Sequence, residues 1–398
     1  MAEFFDARKL RYEIHVLDDK RWLIKEAMED GRELLGRPYG KLDFEETERA
    51  VVDRAVELLG LGTVHAVRVV RERVRPDGYV TQREIFYREA TGKVEPPLTV
   101  ARYEGPIAFC TTTDDLSRRA SCQIIGVVVR SFLDRYMITA LELLHNHGYI
   151  RRILENVVVL QGGVQQIANL QVKAQGGQLR PRADALMALL TKVEKDAHNA
   201  LGERGVPDVT EDNFNGFAQR LEAAFGGERY RYFMFYALAK NYRGNSLLAK
   251  VDSLLTIIMG QELRPVDLGM LDELLAGCLD HPMMVMDVLG HQTNLAAALE
   301  SLANLAAGAE GPGDETVTNL RRGMASGKIP FSSETIWNRV LREVERGKPL
   351  CRDNEKQEWA TLVRVRESLM YKCPEALKGS MQAAFKDRSS RLRNARLQ

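Results

Sequence analysis

The spacing of apolar side chains divides this chain in two. Up to about residue 95 it follows mostly a period of two, broken by one helical run, and from about residue 113 it follows steps of three and four. Leu10, Tyr12, Ile14 and Val16 alternate with Arg11, Glu13 and His15, which predicts a half-buried strand. Asp18-Asp19-Lys20 makes a turn, and Arg21 to Ala27 reads as the hairpin partner, with Trp22 and Ile24 on one face. A helix follows from Phe44, with Asp43 as N-cap and Glu46 three residues on. Phe44, Val51, Ala55 and Leu58 share one face of it, and Gly60 and Gly62 stop it. Val64 to Val74 and Val80 to Arg88 are two further strands around Pro76-Asp77-Gly78, where Pro sets φ and Gly supplies a positive φ. The order ββαββ predicts a small antiparallel sheet with one helix across its face.

The rest of the chain is organised around Ala120 to His147. On a helix, Ile125, Val129, Phe132, Tyr136, Ala140 and Leu143 stack on one face, and Ile124, Val127, Val128, Ile138 and Leu141 cover much of the remainder. One long helix, buried on most sides, is the expectation. It has the length of a membrane span, but Arg130, Asp134, Arg135 and Glu142 sit within it. Charged residues there would each cost roughly 2.5–3.5 kcal/mol at the bilayer centre, so a water-soluble core helix is the better reading.

Thr113 or Asp114 is placed to cap this helix and Gly148 to end it. Ile150, Ile153, Val157, Leu160, Val164, Ile167 and Gln171 then predict an antiparallel partner helix, interrupted at Gly162-Gly163. Helical runs follow at 182–201, 211–225, 230–241, 246–259, 266–279, 283–289 and 294–307, then at 315–324, 333–346 and 355–371, the last two capped by Ser332 and Asn354. The fold class is therefore α+β, a small sheet-bearing module ahead of a large all-helical body. Pro96-Pro97 and Gly308 to Asp314 mark the breaks. They give a module at 1–95, a linker at 96–112, a helical body at 113–310, and C-terminal helices with a basic tail at 311–398.

Composition narrows the class of protein. At 398 residues, two or three domains are expected. A hydrophobic content of 45% and a charged content of 28% are ordinary for a soluble chain. A net charge of +1 carries no whole-molecule signature of nucleic-acid or membrane-surface binding. The first residues, MAEFFDARKLRYE, contain acids and no apolar core, so no secretory signal is expected. Cys110, Cys122, Cys278, Cys351 and Cys373 are odd in number and widely spaced, which suits thiols in a reducing cytoplasm.

Candidate chemistry is scattered. Cys278, Asp280, His281 and His291 have residue types that suit zinc, although Pro282 and Gly290 beside the histidines equally mark helix ends. His145 and His147 are two apart, so on a helix they diverge. Arg130 and Asp134, one turn apart on an apolar helix, must pair if buried, and are either a structural ion pair or the lining of a polar pocket. Lys240, Arg243 and Ser246 around Gly244 have the makings of an anion contact, or of an ordinary inter-helix turn with a Ser cap. Met283, Met284 and Met286 read as core filling or as an adaptable partner surface. Arg68, Arg71, Arg73, Arg83 and Arg88 place arginines outward on the second hairpin, among glutamates that make a solvated face. The basic C-terminal stretch, with Lys378, Lys386, Arg388, Arg391, Arg393 and Arg396, reads as a terminus or an arm clamping the protein's own acids. No GxxxxGK[ST] and no dinucleotide-type glycine turn occurs, so no cofactor is expected.

Three functional classes follow. The first is a cytoplasmic, non-catalytic regulatory or scaffolding protein that binds a protein partner, or another copy of itself as a homo-oligomer, through the α/β module and the helical body. The second is a small-ligand sensor or metal-dependent enzyme with a pocket near Arg130, Asp134, Cys278, His281 and His291. The third is nucleic-acid binding through the basic hairpin and tail, which the scarcity of aromatic residues in the tail disfavours.

Overall fold

Alternation at the N-terminal end forms strands β1 (Lys9–Asp18) and β2 (Arg21–Glu29), the two-residue strands β3 (Glu33–Leu34) and β4 (Arg37–Pro38), helix α1 (Phe44–Gly60), then β5 (Ala66–Val74) and β6 (Val80–Glu89). The computed structural model describes residues 9–18, 21–29, 33–34, 37–38, 44–60, 64, 66–74, 80–89, 98–227, 229–282, 284–311, 313–351 and 355–396. Asp43, Gly62, Pro76-Asp77-Gly78, Pro96-Pro97, Met283 and Asn354 lie outside them. Two units separate by their contacts, 1–97 with 244–249, and 98–243 with 250–398.

In the first unit the strands form one antiparallel sheet in the order β2-β1-β5-β6. Tyr12, Ile14 and Val16 make one cluster with Val67 and Val69 and with Val51, Ala55 and Leu58 of α1. Burying each of these larger side chains is worth about 1.5–3 kcal/mol, which is what holds the helix to the sheet. The simple ββαββ order needs correction, because the β3–β4 pair intervenes between the second long strand and the helix.

The outward row of arginines is corrected too. Period two sends Arg68 and Arg71 to opposite faces: Arg71 bonds Glu48 of α1 at 2.5 Å, while the Arg68 guanidinium lies 4.6 Å from the Trp22 ring centroid.

The second unit begins with an extended strap, 98–110, and continues as α2 (Thr113–Ser117), α3 (Arg119–Val128), α4 (Arg130–Tyr136), α5 (Ala140–His145), α6 (His147–Glu155), α7 (Val157–Gln175) and α8 (Leu179–Leu201). Next come α9 (Phe214–Phe225), α10 (Arg229–Asn241), α11 (Leu247–Gly260), α12 (Pro265–Leu279), α13 (Met284–Leu289) and α14 (Leu295–Ala306). The chain ends with α15 (Glu315–Ala325), α16 (Pro330–Arg346), α17 (Glu355–Lys372) and α18 (Glu375–Arg396). No helix among the described residues is long and apolar enough to cross a membrane.

The stretch 120–147 is three helices rather than one. Val129 leaves helical geometry after α3, and Met137 takes a left-handed φ of 51° after α4. Thr139 and Glu142 then form a reciprocal capping box that starts α5. A left-handed non-glycine residue costs about 1–2 kcal/mol. Here the Lys250 ammonium offsets that cost by donating to Met137 O at 2.6 Å. The apolar reading of the stretch holds nonetheless, since Ile124, Val128, Phe132, Leu133, Ile138, Leu141, Leu143 and Leu144 are all buried.

Gly148 is not a stop. Asn146 Oδ1 accepts the amides of Gly148 and Tyr149 and so caps α6, in whose first turn Gly148 lies. The partner helix is broken at Asn156, which caps α7, and runs unbroken through Gly162-Gly163. Those glycines serve close packing instead: a Cβ at Gly163 would lie 3.3 Å from Val128 Cγ1, and one at Gly162 3.0 Å from Val100 Cγ2.

The strap is pinned to the helices. Ala101 N donates to Val128 O, Tyr103 N to Gln166 Oε1, and Arg182 to Cys110 O. At the other end of the chain, α16 packs against α12, α14 and α18. Ser332 lies inside α16 rather than capping it, with its hydroxyl and amide both donating to Asp272. The basic C-terminal stretch is helical, and its Arg388 is buried against Glu358 and the carbonyls of Val344 and Lys348.

Candidate functional site

Arg130 begins α4 and Asp134 follows one turn later, while Asp280 and His281 come directly after α12. Helical spacing thus puts a cation and a carboxylate on one face, and the end of α12 brings a second carboxylate and an imidazole to them. Arg130 Nη2 donates to Asp280 Oδ2 at 2.8 Å, and its Nη1 lies 3.9 Å from Asp134 Oδ1. His281 Nε2 is 2.7 Å from that same Asp134 oxygen.

Helix α16 contributes two further guanidiniums, three residues apart. Arg342 Nη2 donates to Asp280 Oδ1 at 2.6 Å, so the two oxygens of Asp280 serve two different helices. Arg339 donates to His281 O at 2.8 Å and to Pro282 O at 2.9 Å. It thereby satisfies carbonyls at the end of α12, where the helix dipole favours cations. Burial, partly countered by Asp280 and Glu343, pulls the Arg339 guanidinium below its ordinary value.

The junction gathers three guanidiniums (Arg130, Arg339, Arg342) around two carboxylates (Asp134, Asp280), with Glu343 of α16 also acting on Arg339. Glu343 is in turn paired with Arg346. Exposure is graded across the group: the side chains of Arg130 and Asp280 are 19% and 16% exposed, that of Arg342 is 42%. The outer edge of Arg342 therefore faces water while its inner edge is fixed. Such an arrangement binds a carboxylate or phosphate with little further loss of side-chain freedom. The His281 ring, 4% exposed, braces Asp134 and is turned away from solvent.

Among the residues singled out in the sequence, Arg130, Asp134, Asp280 and His281 converge, while Cys278 and His291 lie elsewhere. Cys278 is fully buried in α12, where desolvation pushes its thiol up to about 12, and His291 is exposed. Among the described residues no three His, Cys, Asp or Glu side chains are grouped to hold a metal ion.

His145 is buried, its Nδ1 2.8 Å from Leu141 O and its ring against Tyr232 and Phe235. His147 turns outward to Glu194 at 2.9 Å, with its ring centroid 4.9 Å from that of His198. Lys240 pairs with Asp208, the exposed Arg243 lies beside it in the chain, and Ser246 Oγ accepts the Ala249 amide as a helix cap. Met284 is buried and Met286 exposed.

Reading the sequence missed Arg339 and Arg342, whose i, i+3 spacing on one helix carries no motif. It also missed the buried pair of Glu142 and Lys250, 2.6 Å apart and 2% and 1% exposed. The Thr139-x-x-Glu142 pattern was the available signal for the acid, and nothing local marks the lysine. Family models, curated proteins and solved structures alike returned no significant match to this chain.

Proposed function

We propose that this chain is a non-catalytic regulatory or scaffolding protein that recognises a protein partner. The helical unit presents the junction of Arg130, Arg339 and Arg342 to an acidic segment of that partner. The outer strands β2 and β6 of the N-terminal sheet give the smaller module two edges for a second contact. The observation that carries this reading is the half-exposed Arg342, held on its inner side by Asp280, whose other oxygen is held by Arg130. Five free thiols suit a reducing compartment, and the reading sets the protein in the cytoplasm.

Affinity capture from a cell extract at rising salt, with sizing of the eluate, tests the proposal. Wild-type protein is expected to retain a partner, with retention falling as ionic strength rises. Arg342→Ala is expected to lower apparent affinity about tenfold, the scale of one charge-assisted hydrogen bond. A stable monomer without a partner would overturn the reading, as would retention indifferent to both salt and Arg342→Ala.

A further inference from the structure

The main core of the helical unit holds a partly open cavity of ≈ 70 Å³, lined by Ile124, Val128, Leu143, Leu144, Leu160 and Val164 among others. Elements from 108 to 190 build it: α2, α3, α5, α6, α7, α8 and the strap at Ala108 and Cys110.

The few polar groups on its wall are already committed to one another. Ser121 Oγ donates to Asp115 O at 2.6 Å, and Cys110 Sγ lies 3.2 Å from Ser121 Oγ. Gln171 Nε2 donates to Ala108 O at 2.6 Å, and its Oε1 accepts from Arg182 Nε at 2.6 Å. A buried water needs two to four polar partners, and an apolar void without them stays dry. The space is roughly half of the 150 Å³ or so that admits benzene in an engineered protein core.

We infer that this cavity is a binding site for a small apolar molecule of a few carbon atoms, formed between the strap and α2, α3, α5, α6, α7 and α8. The inference is independent of the arginine junction. Its ligand has no hydroxyl, amine or carboxylate, because such a group would enter without a hydrogen-bond partner.

Xenon and propane, with 1-propanol as the polar comparison, test this on the full-length protein labelled at Ile, Leu and Val methyls. Saturable chemical-shift changes are expected at Ile124, Val128, Leu143 and Val164 with xenon and with propane, and none at Leu299 or Leu320. The affinity for 1-propanol is expected to be at least tenfold weaker than that for propane. Filling the void by Val128→Ile with Val164→Leu should abolish the xenon response. Should that variant fail to fold, Leu143→Ala enlarges the space instead, and benzene should then raise its melting temperature. Non-saturating or uniform shifts in the wild type would overturn the proposal, and so would 1-propanol binding as tightly as propane.

Discussion

At the residue scale, this structure is marked by polar groups taken out of water with their partners supplied from distant parts of the chain. His145 shows what that does to titration. Desolvation lowers its pKa from 6.5 to about 4, outweighing the hydrogen bond to Leu141 O. An imidazole depressed in the folded state stabilises the fold while it is neutral. That contribution is complete above pH 6.5 and drains away as the pH falls toward 4, by roughly 3 kcal/mol in full. Urea midpoints measured at neutral and mildly acidic pH should therefore drop more for the wild type than for His145→Gln, and equal drops would refute the assignment. That His145 and His147 point apart was readable from their spacing, but not which of the two is buried. The shift of His145 was not readable either, because the rings that bury it, Tyr232 and Phe235, come from α10.

At the scale of elements, caps decide where helices begin more firmly than apolar periodicity does. Thr139, Asn146 and Asn156 each start a helix inside what reads as an uninterrupted apolar pattern. Periodicity is insensitive to such breaks, because a chain that turns between two buried helices keeps burying apolar residues. The box at Thr139 is itself buried, with Thr139 N donating to Glu142 Oε2 at 2.8 Å while Lys250 holds the other oxygen at 2.6 Å. Thr139→Ala should lower stability by about 1–2 kcal/mol, the upper range for a cap, as read from the midpoint of denaturant unfolding. A change of a few tenths would mean that Lys250 alone orients Glu142.

For the whole molecule, long-range ionic junctions tie together helices that the chain separates by many residues. Asp280 joins α4 to α16 through Arg130 and Arg342. Asp280→Asn should raise amide hydrogen exchange in 130–136 and in 330–346 together, leaving the sheet of the N-terminal unit unchanged. Protection lost in only one of the two helices would show that the carboxylate does not couple them.

The sequence by itself determined the α+β division, the strands of the N-terminal sheet, the burial of most apolar residues in 124–144 and the pairing of Arg130 with an acid. Each of these depends on neighbours within a few residues, through period, propensity and capping. Only the tertiary structure decided that Asp280 is the main acid for Arg130, that Arg339 and Arg342 complete the junction, that Cys278 and His291 stay apart from it, and that an apolar cavity remains behind the strap. Those outcomes depend on which helix faces which, and that is set by side-chain volumes and charges meeting across tens of residues of chain or more, where no local period reaches.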